Sequence, residues 1–285
     1  MKFVLALLSA GSLASGFAAY AQSTPAVPKV TLTRLDCGSV RVNDLDQFSD
    51  TRAYVGQTKT LTDSCYLIRH GDEAMLWDTG LPAALKGVAT NAADPMSPSL
   101  RATLVEQLAQ IGVRPDRIAR IGISHYHFDH IGQAAAFPGA TLMIGAGDWA
   151  ALTDRNAKPG FAAPDSRPLA HWISGGGKVE TVARDKDVFG DGTVVMLDMP
   201  GHTPGHHALL VRLKGKGAVL LTGDLAHFRE NYASNGVPGF NTGRADTLAS
   251  LDRFKKMAAN LKASVIIQHE AADIAKLPAF PASAE

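Results

Sequence analysis

Past the first thirty or so residues, apolar positions fall into short blocks separated by glycine, proline and acidic residues. Residues 30–35 set Val30 and Leu32 against polar Thr31, Thr33 and Arg34, which predicts an outer or edge strand. Residues 38–62 are loop-rich and read as a flap near a site. Residues 65–68 and 74–77 predict a hairpin turned by His70-Gly71-Asp72. The hairpin runs into Asp78-Thr79-Gly80, where the aspartate is either a turn device or a carboxylate that steadies a metal-binding imidazole. From Ser99, the spacing of Leu100, Leu104, Leu108 and Ile111 predicts a helix stopped by Gly112 and Pro115. Residues 117–123 then read as a short buried strand, 133–137 as a short helix, 140–144 as a strand and 147–152 as a helix. Alternating β and α elements predict parallel pairing and helix-covered sheets, an α/β fold.

Residues 153–177 are the least regular part, with Pro159, Pro164, Pro168 and a glycine run, and read as a surface, lid or binding loop. Four strands are expected at 179–183, 192–198, 208–213 and 218–222. A second irregular loop covers 224–243. A helix follows over 244–261, with Leu248, Leu251, Phe254 and Met257 among its apolar positions, and a last strand over 264–268.

The amino terminus changes the compartment. One lysine, an apolar small-residue run and Ala19-Tyr20-Ala21 predict a secretory signal peptide over 1–21, cut after Ala21. The remaining 22–285 form one domain, exported to the periplasm or beyond. Ser9, Gly11, Ser12, Ser15 and Gly16 dilute the leader below a spanning helix. No later run reaches roughly 18 apolar residues, so no membrane contact is expected after cleavage. The formal charge of +1 includes Lys2, the leader's only charge, and the mature chain is neutral. A neutral chain has no global field for nucleic acid or anionic membrane. With 46% hydrophobic residues, it can bury a large core. Cys37 and Cys65 are the only cysteines. Export permits a disulfide, while their apolar contexts equally suit two buried thiols, and the sequence leaves both open.

The chemistry is concentrated after the strand at 117–123. His125, His127, Asp129 and His130 fall within six residues of a chain with ten histidines. Imidazole and carboxylate together suit zinc and its neighbours. Three further donors follow predicted strands: His202 in Pro200-Gly201-His202-Thr203-Pro204-Gly205-His206, Asp224 after Leu220-Leu221-Thr222-Gly223, and His269 after Val265-Ile266-Ile267-Gln268. Seven donors exceed one tetrahedral ion and suit two divalent metals sharing a carboxylate, most simply zinc. His125 and His127 alternate to one side, so they group with His202. Asp129, His130 and His269 form the other group, and Asp224 bridges the two.

This H-x-H-x-D-H motif, followed by PGHTPGH, a strand-end Gly-Asp and a strand-end His, resembles the metallo-β-lactamase superfamily of binuclear hydrolases. Leu35-Asp36-Cys37-Gly38, Cys65-Tyr66-Leu67 and Trp77-Asp78-Thr79-Gly80 add a likeness to its N-acyl homoserine lactone lactonases. The resemblance implies an αβ/βα sandwich of two mixed sheets with metals at one edge. It also implies opening of a lactone ring by a metal-bridging hydroxide, with Asp129 carrying the proton and Asp78 fixing a ligand imidazole. The best-known branch carries a tyrosine three residues after the bridging aspartate, and this chain has His227 there. His227 is the expected donor to the substrate or leaving oxygen, with Tyr232 an alternative on the same loop. Phe48, Trp172, Phe228, Tyr232 and Phe240 are candidates for an acyl-chain groove. His70, His171, His206 and His207 are assigned to structure or surface. The partner implied is a small-molecule lactone, with a homodimer left open. Competing readings are a β-lactamase, a thioester hydrolase of the same superfamily, and a metal-bound redox or binding protein on this fold.

Overall fold

The structure, a computed structural model, describes residues 28–154, 156 and 165–285. The expected leader at 1–21, Pro159 and Pro164 lie outside the described residues. Among the described residues, twelve strands form two sheets. The first contains β1 (Val30–Val42), β2 (Lys59–His70), β3 (Glu73–Trp77), β4 (Met96–Ser99), β5 (Arg120–Ile123), β6 (Thr141–Gly145) and β7 (Val179–Val182), in the order β4-β1-β2-β3-β5-β6-β7. The second contains β8 (Lys186–Asp187), β9 (Val194–Asp198), β10 (His207–Leu213), β11 (Gly217–Leu221) and β12 (Ser264–Ile266), in the order β12-β11-β10-β9-β8. Both are mixed: β3, β5, β6 and β7 run parallel, as do β11 and β12, and the remaining pairs are antiparallel.

The helices are α1 (Leu104–Gln110), α2 (Phe128–Ile131), α3 (Ala146–Thr153), α4 (Ala170–Ile173), α5 (Arg229–Ser234), α6 (Arg244–Asn260) and α7 (Ala271–Ile274). Period-two alternation in the strands gives each sheet two apolar faces, and both are covered. Leu32, Tyr66, Ile68, Met75 and Trp77 of the first sheet meet Val194, Met196, Leu209, Val211 and Leu221 of the second in the space between them. On the outer face of the first sheet, Leu67, Ile121 and Leu142 pack against Leu104 and Leu108 of α1. Leu210 and Leu220 on the outer face of the second sheet pack against Leu251 and Phe254 of α6. Each such fully buried side chain stabilises the fold by about 1.5–3 kcal/mol relative to exposure. The layers are therefore helix, sheet, sheet, helix. Among the described residues no helix is long and apolar enough to cross a membrane.

Two expectations need correction. The helix expected from Ser99 begins only at Leu104. Residues 96–99 pair with the end of β1, and Thr103 supplies the helix cap, accepting from the Glu106 amide at 3.2 Å while Glu106 accepts from the Thr103 amide at 2.9 Å. The stretch read as loop from residue 38 continues β1 to Val42 past a register shift between Asp36 and Gly38. A Cβ at Gly38 would lie 2.5 Å from Leu81 and 2.7 Å from the Ser99 carbonyl, so only glycine fits there. The four strands expected after residue 178 are present, the first joining the seven-stranded sheet and the others the five-stranded one. Cys37 and Cys65, left open above, form a disulfide between neighbouring strands β1 and β2.

Candidate metal centre

Strand ends from both sheets converge on one edge. The segment after β5 carries His125 and His127 and enters α2, whose first turns carry Asp129 and His130. The β9–β10 connection carries His202, the segment after β11 carries Asp224, and the segment after β12 carries His269. All seven are buried except His127, which is partly so. Their donor atoms fall into two groups, each within 4.8 Å of one another: His125, His127, His202 and Asp224, then Asp129, His130, Asp224 and His269. Asp224 belongs to both because its oxygens face opposite ways. Oδ2 lies 3.6 Å from His125 Nε2 and 3.4 Å from His202 Nε2, whereas Oδ1 lies 3.3 Å from His130 Nε2 and 2.9 Å from His269 Nε2.

The surroundings decide which nitrogen of each ring faces inward. His202 Nδ1 donates to Asn241 Oδ1 at 2.8 Å, His269 Nδ1 to the Thr62 carbonyl at 3.0 Å, and His130 Nδ1 to Asp78 Oδ2 at 3.0 Å. In the neutral form of each ring, Nε2 is thereby the lone-pair nitrogen and points into the cluster. Asp78 also accepts from the Ser124 amide at 2.7 Å, and Thr79 donates its amide to the His130 carbonyl at 2.6 Å. Asp78 holds a left-handed φ of 59°, unusual for a residue with a Cβ, to reach both partners. The turn at Asp78 is thus also the brace of a ligand imidazole, so the two readings of that aspartate are both met.

Electrostatics make the cluster fit a cation. Burial, with the neighbouring rings, holds His125 and His202 well below the usual imidazole pKa, and burial brings His127 down to about 4. Three neutral rings therefore present nitrogens 2.9–3.1 Å apart, with nothing between to share. Ligands on a tetrahedral ion with bonds of about 2.0 Å stand about 3.3 Å apart, so the separation fits one. In the second group burial opposes the charge on His130 and His269, but Asp224 and other carboxylates overcome it, raising His130 well above its usual range and His269 to about 9. Burial alone would push Asp224 up, and the surrounding histidines instead pull it well down. His130 Nε2 and Asp224 Oδ1 are buried without a hydrogen-bond partner. Buried polar atoms left this way are costly unless a cation satisfies them.

Above the cluster opens a cleft of about 140 Å³. His127, Asp129, Asp224, His227 and His269 line its floor, and Val40, Phe48, Leu61, Met96, Phe128 and Phe240 its walls. His227 stands with Nε2 3.1 Å from Asp224 Oδ2 and packs edge-on to Phe48. Of the aromatic residues expected to form the groove, Phe48 and Phe240 do. The other three lie elsewhere. Trp172 is in the outer core of the first sheet, its indole N–H donating to the Ala140 carbonyl. Phe228 is fully buried behind Phe48, against Tyr54. Tyr232 packs on Phe254 of α6 under the Lys255 ammonium. A loop aromatic that points into the protein is core, and only the backbone path tells which way it points. Of the histidines assigned to structure, His206 and His207 are buried beside the centre, bonded to the Met199 and Gly205 carbonyls. Asn241, Ser124 and the Thr62 carbonyl had no signal in the sequence.

A family model described as the metallo-beta-lactamase superfamily matches residues 61–269, most of the chain. The chain belongs to the metallo-beta-lactamase superfamily. Within that superfamily, the N-acyl homoserine lactonase AttM of Rhizobium radiobacter is 32% identical over 182 residues, covering 62% of this chain and 68% of that protein. AttM of Azorhizobium caulinodans is 32% identical over 169 residues, and the match spans 63% of its length, a little under two thirds. AiiA of Bacillus thuringiensis subsp. kurstaki is 27% identical over 235 residues, 79% of this chain and 88% of that one. Among solved structures, an N-acyl homoserine lactone hydrolase with N-hexanoyl-L-homoserine at its catalytic metal center superposes with a TM-score of 0.75 at 24% identity, covering 90% of this chain and 99% of that one. The dizinc quorum-quenching lactonase AidC superposes at 0.65 with 19% identity, covering 90% of each chain. These superpositions share the two-sheet fold described above.

Proposed function

We propose that this protein is a dinuclear metal-dependent hydrolase that opens the lactone ring of N-acyl homoserine lactones. The observation that carries the reading is the shared aspartate: Asp224 turns one oxygen to each of two donor groups at the floor of an apolar cleft. The relatives named N-acyl homoserine lactonase support the substrate class. His125, His127 and His202 would hold one ion and Asp129, His130 and His269 the other, with Asp224 available to both. Nitrogen and carboxylate donors favour Zn²⁺. Bound divalent ions supply a water ionised near neutral pH and a Lewis acid for the carbonyl.

The chain's own residues do the rest. Asp129, at the cleft floor 3.9 Å from both His130 and His269, accepts the proton of the attacking water and returns it to the departing ring oxygen. His227 donates a hydrogen bond to that oxygen as charge builds on it. Asp78 keeps His130 in the tautomer whose Nε2 would be free for the ion. Phe48, Phe240, Met96, Val40 and Leu61 take the acyl chain out of water. The reaction consumes one water and yields the ring-opened acyl homoserine.

The test is metal analysis paired with turnover. The purified protein is expected to carry two ions per chain and to release acid from N-hexanoyl homoserine lactone far faster than from a penicillin or a glutathione thioester. Faster turnover of either rival substrate would replace the lactone reading, and tight metal without turnover of any would replace the hydrolase reading. Export belongs to the same proposal, with the leader supplying its motivation: amino-terminal analysis of the periplasmic fraction should find Gln22 first, and an intact Met1 there would refute it.

A further inference from the structure

A buried carboxylate outside the donor set ties together the two segments that carry the first group. Asp148, in the first turn of α3, is fully buried. Its Oδ1 accepts from the Gly205 amide at 2.7 Å and its Oδ2 from the Thr203 hydroxyl at 2.9 Å, and the Tyr126 amide also donates to it. Tyr126 lies between His125 and His127, and Thr203 follows His202. Asp148 therefore grips both segments, one from each sheet, beside the residues whose nitrogens converge.

The contact is built for closeness. A Cβ at Gly145 would lie 1.8 Å from the Gly205 carbonyl, one at Gly147 2.6 Å from the Pro204 carbonyl, and one at Gly205 2.4 Å from the Asp148 amide. Backbone lies directly on backbone, so the β9–β10 loop is seated against the β6–α3 corner with little play. The second group is anchored differently: His130 through Asp78 and Thr79, and His269 through Thr62. Neither anchor involves Asp148.

We propose that Asp148 is a positioning residue that fixes the distance between the His125/His127 segment and His202, and so sets the affinity of the first metal position without affecting the second. The inference rests on the two-metal reading above. A buried carboxylate is demanded there because three donors, one from the His125/His127 segment and two from the His202 loop, need acceptors at one point, and a single group with two oxygens satisfies all of them. An amide in its place keeps the shape, but its NH₂ faces a donor and the grip opens.

Stepwise Co²⁺ titration of the metal-stripped full-length chain tests it, followed by calorimetry and by the visible absorption of each equivalent. The wild-type protein should bind two equivalents. Asp148→Asn should weaken one equivalent by about 10–100-fold, the range for lost ligand-orienting partners, and change that equivalent's spectrum while leaving the other unaltered. Thr203→Val should weaken the same equivalent less, and Thr203→Ser, which keeps the hydroxyl, should restore it. Trp172→Phe serves as a control for general destabilisation. Equal weakening of both equivalents, as in a destabilised control, or no change in either, overturns the proposal. Should Asp148→Asn fail to fold, the Thr203 pair decides on the same criterion. A wild-type chain that binds fewer than two equivalents overturns the two-metal reading itself, and this inference with it.

Discussion

The floor and the wall of the cleft are held in place by different physics. The floor is a set of polar atoms at strand ends, and three of its metal-donor imidazoles are each oriented by a hydrogen bond to a named partner: His130 by Asp78, His202 by Asn241, His269 by the Thr62 carbonyl. Its geometry is directional and over-determined. The wall is apolar, made of Phe48, Phe240, Met96 and their neighbours in contact with a small cluster that includes Val42, Tyr54 and Phe228. Packing there is non-directional, and one apolar side chain can replace another of similar volume. The floor should therefore be intolerant of single-atom changes, while the wall should respond in a graded way to volume.

The largest effect is expected at the residue both groups share. Asp224→Asn removes one of the two anionic oxygens and should lower metal content and lactone hydrolysis together, by more than the roughly 10–100-fold seen when a ligand-orienting partner is lost. Retention of two ions and full turnover would break the comparison at its centre. His227 sits between the two regions, edge-on to Phe48 and stacked on His269. His227→Phe should leave metal content unchanged and reduce kcat by about 100-fold, the scale of a lost hydrogen-bond donor to a developing oxyanion. A loss of metal instead would assign His227 to the floor as a ligand.

The wall can be separated from the core by a pair of aromatic truncations. Phe240→Ala should raise KM for long-chain lactones by about tenfold, at the 1–3 kcal/mol scale of apolar pocket contacts, with little change for short chains. Trp172→Ala should destabilise the fold by about 3–5 kcal/mol while leaving KM of the folded protein alone. A chain-length-dependent KM in the second variant would place Trp172 back in the groove. The smallest effect concerns pH. Burial raises Asp148 to about 7, so between roughly pH 4 and 7 the folded state holds a proton that the unfolded state has released. The stability owed to this group is present in full below about pH 4 and falls as pH rises through 7. Denaturation of wild type against Asp148→Asn across that window should show the slope in the wild type alone, and parallel curves would refute it.

Much of the floor is legible in the chain read in order. Seven donors of the right types stand at the ends of segments whose apolar pattern marks them as strands; alternation groups His125 with His127, and the turn into α2 at Phe128 carries Asp129 and His130 away from them. Fold class follows from the same pattern, since β and α blocks in alternation need a sheet covered by helices. The element boundaries are less legible. Ser99 belongs to a strand because β1 extends to meet it, a pairing between residues 60 positions apart that no local pattern encodes.

What the sequence by itself determined was the chemistry: which side chains can bind a cation, and that strand ends would present them. Their types and local spacing are properties of the chain alone. Tertiary structure alone decided orientation and supply. It turned the two oxygens of Asp224 to opposite groups, recruited Asn241 and Asp148 as supports, and sorted five loop aromatics into two that face the cleft and three that do not. The physical reason is that a metal ligand is defined by its own atoms, whereas a wall or a brace is defined by its neighbours, and neighbours are chosen only when the two sheets close on each other.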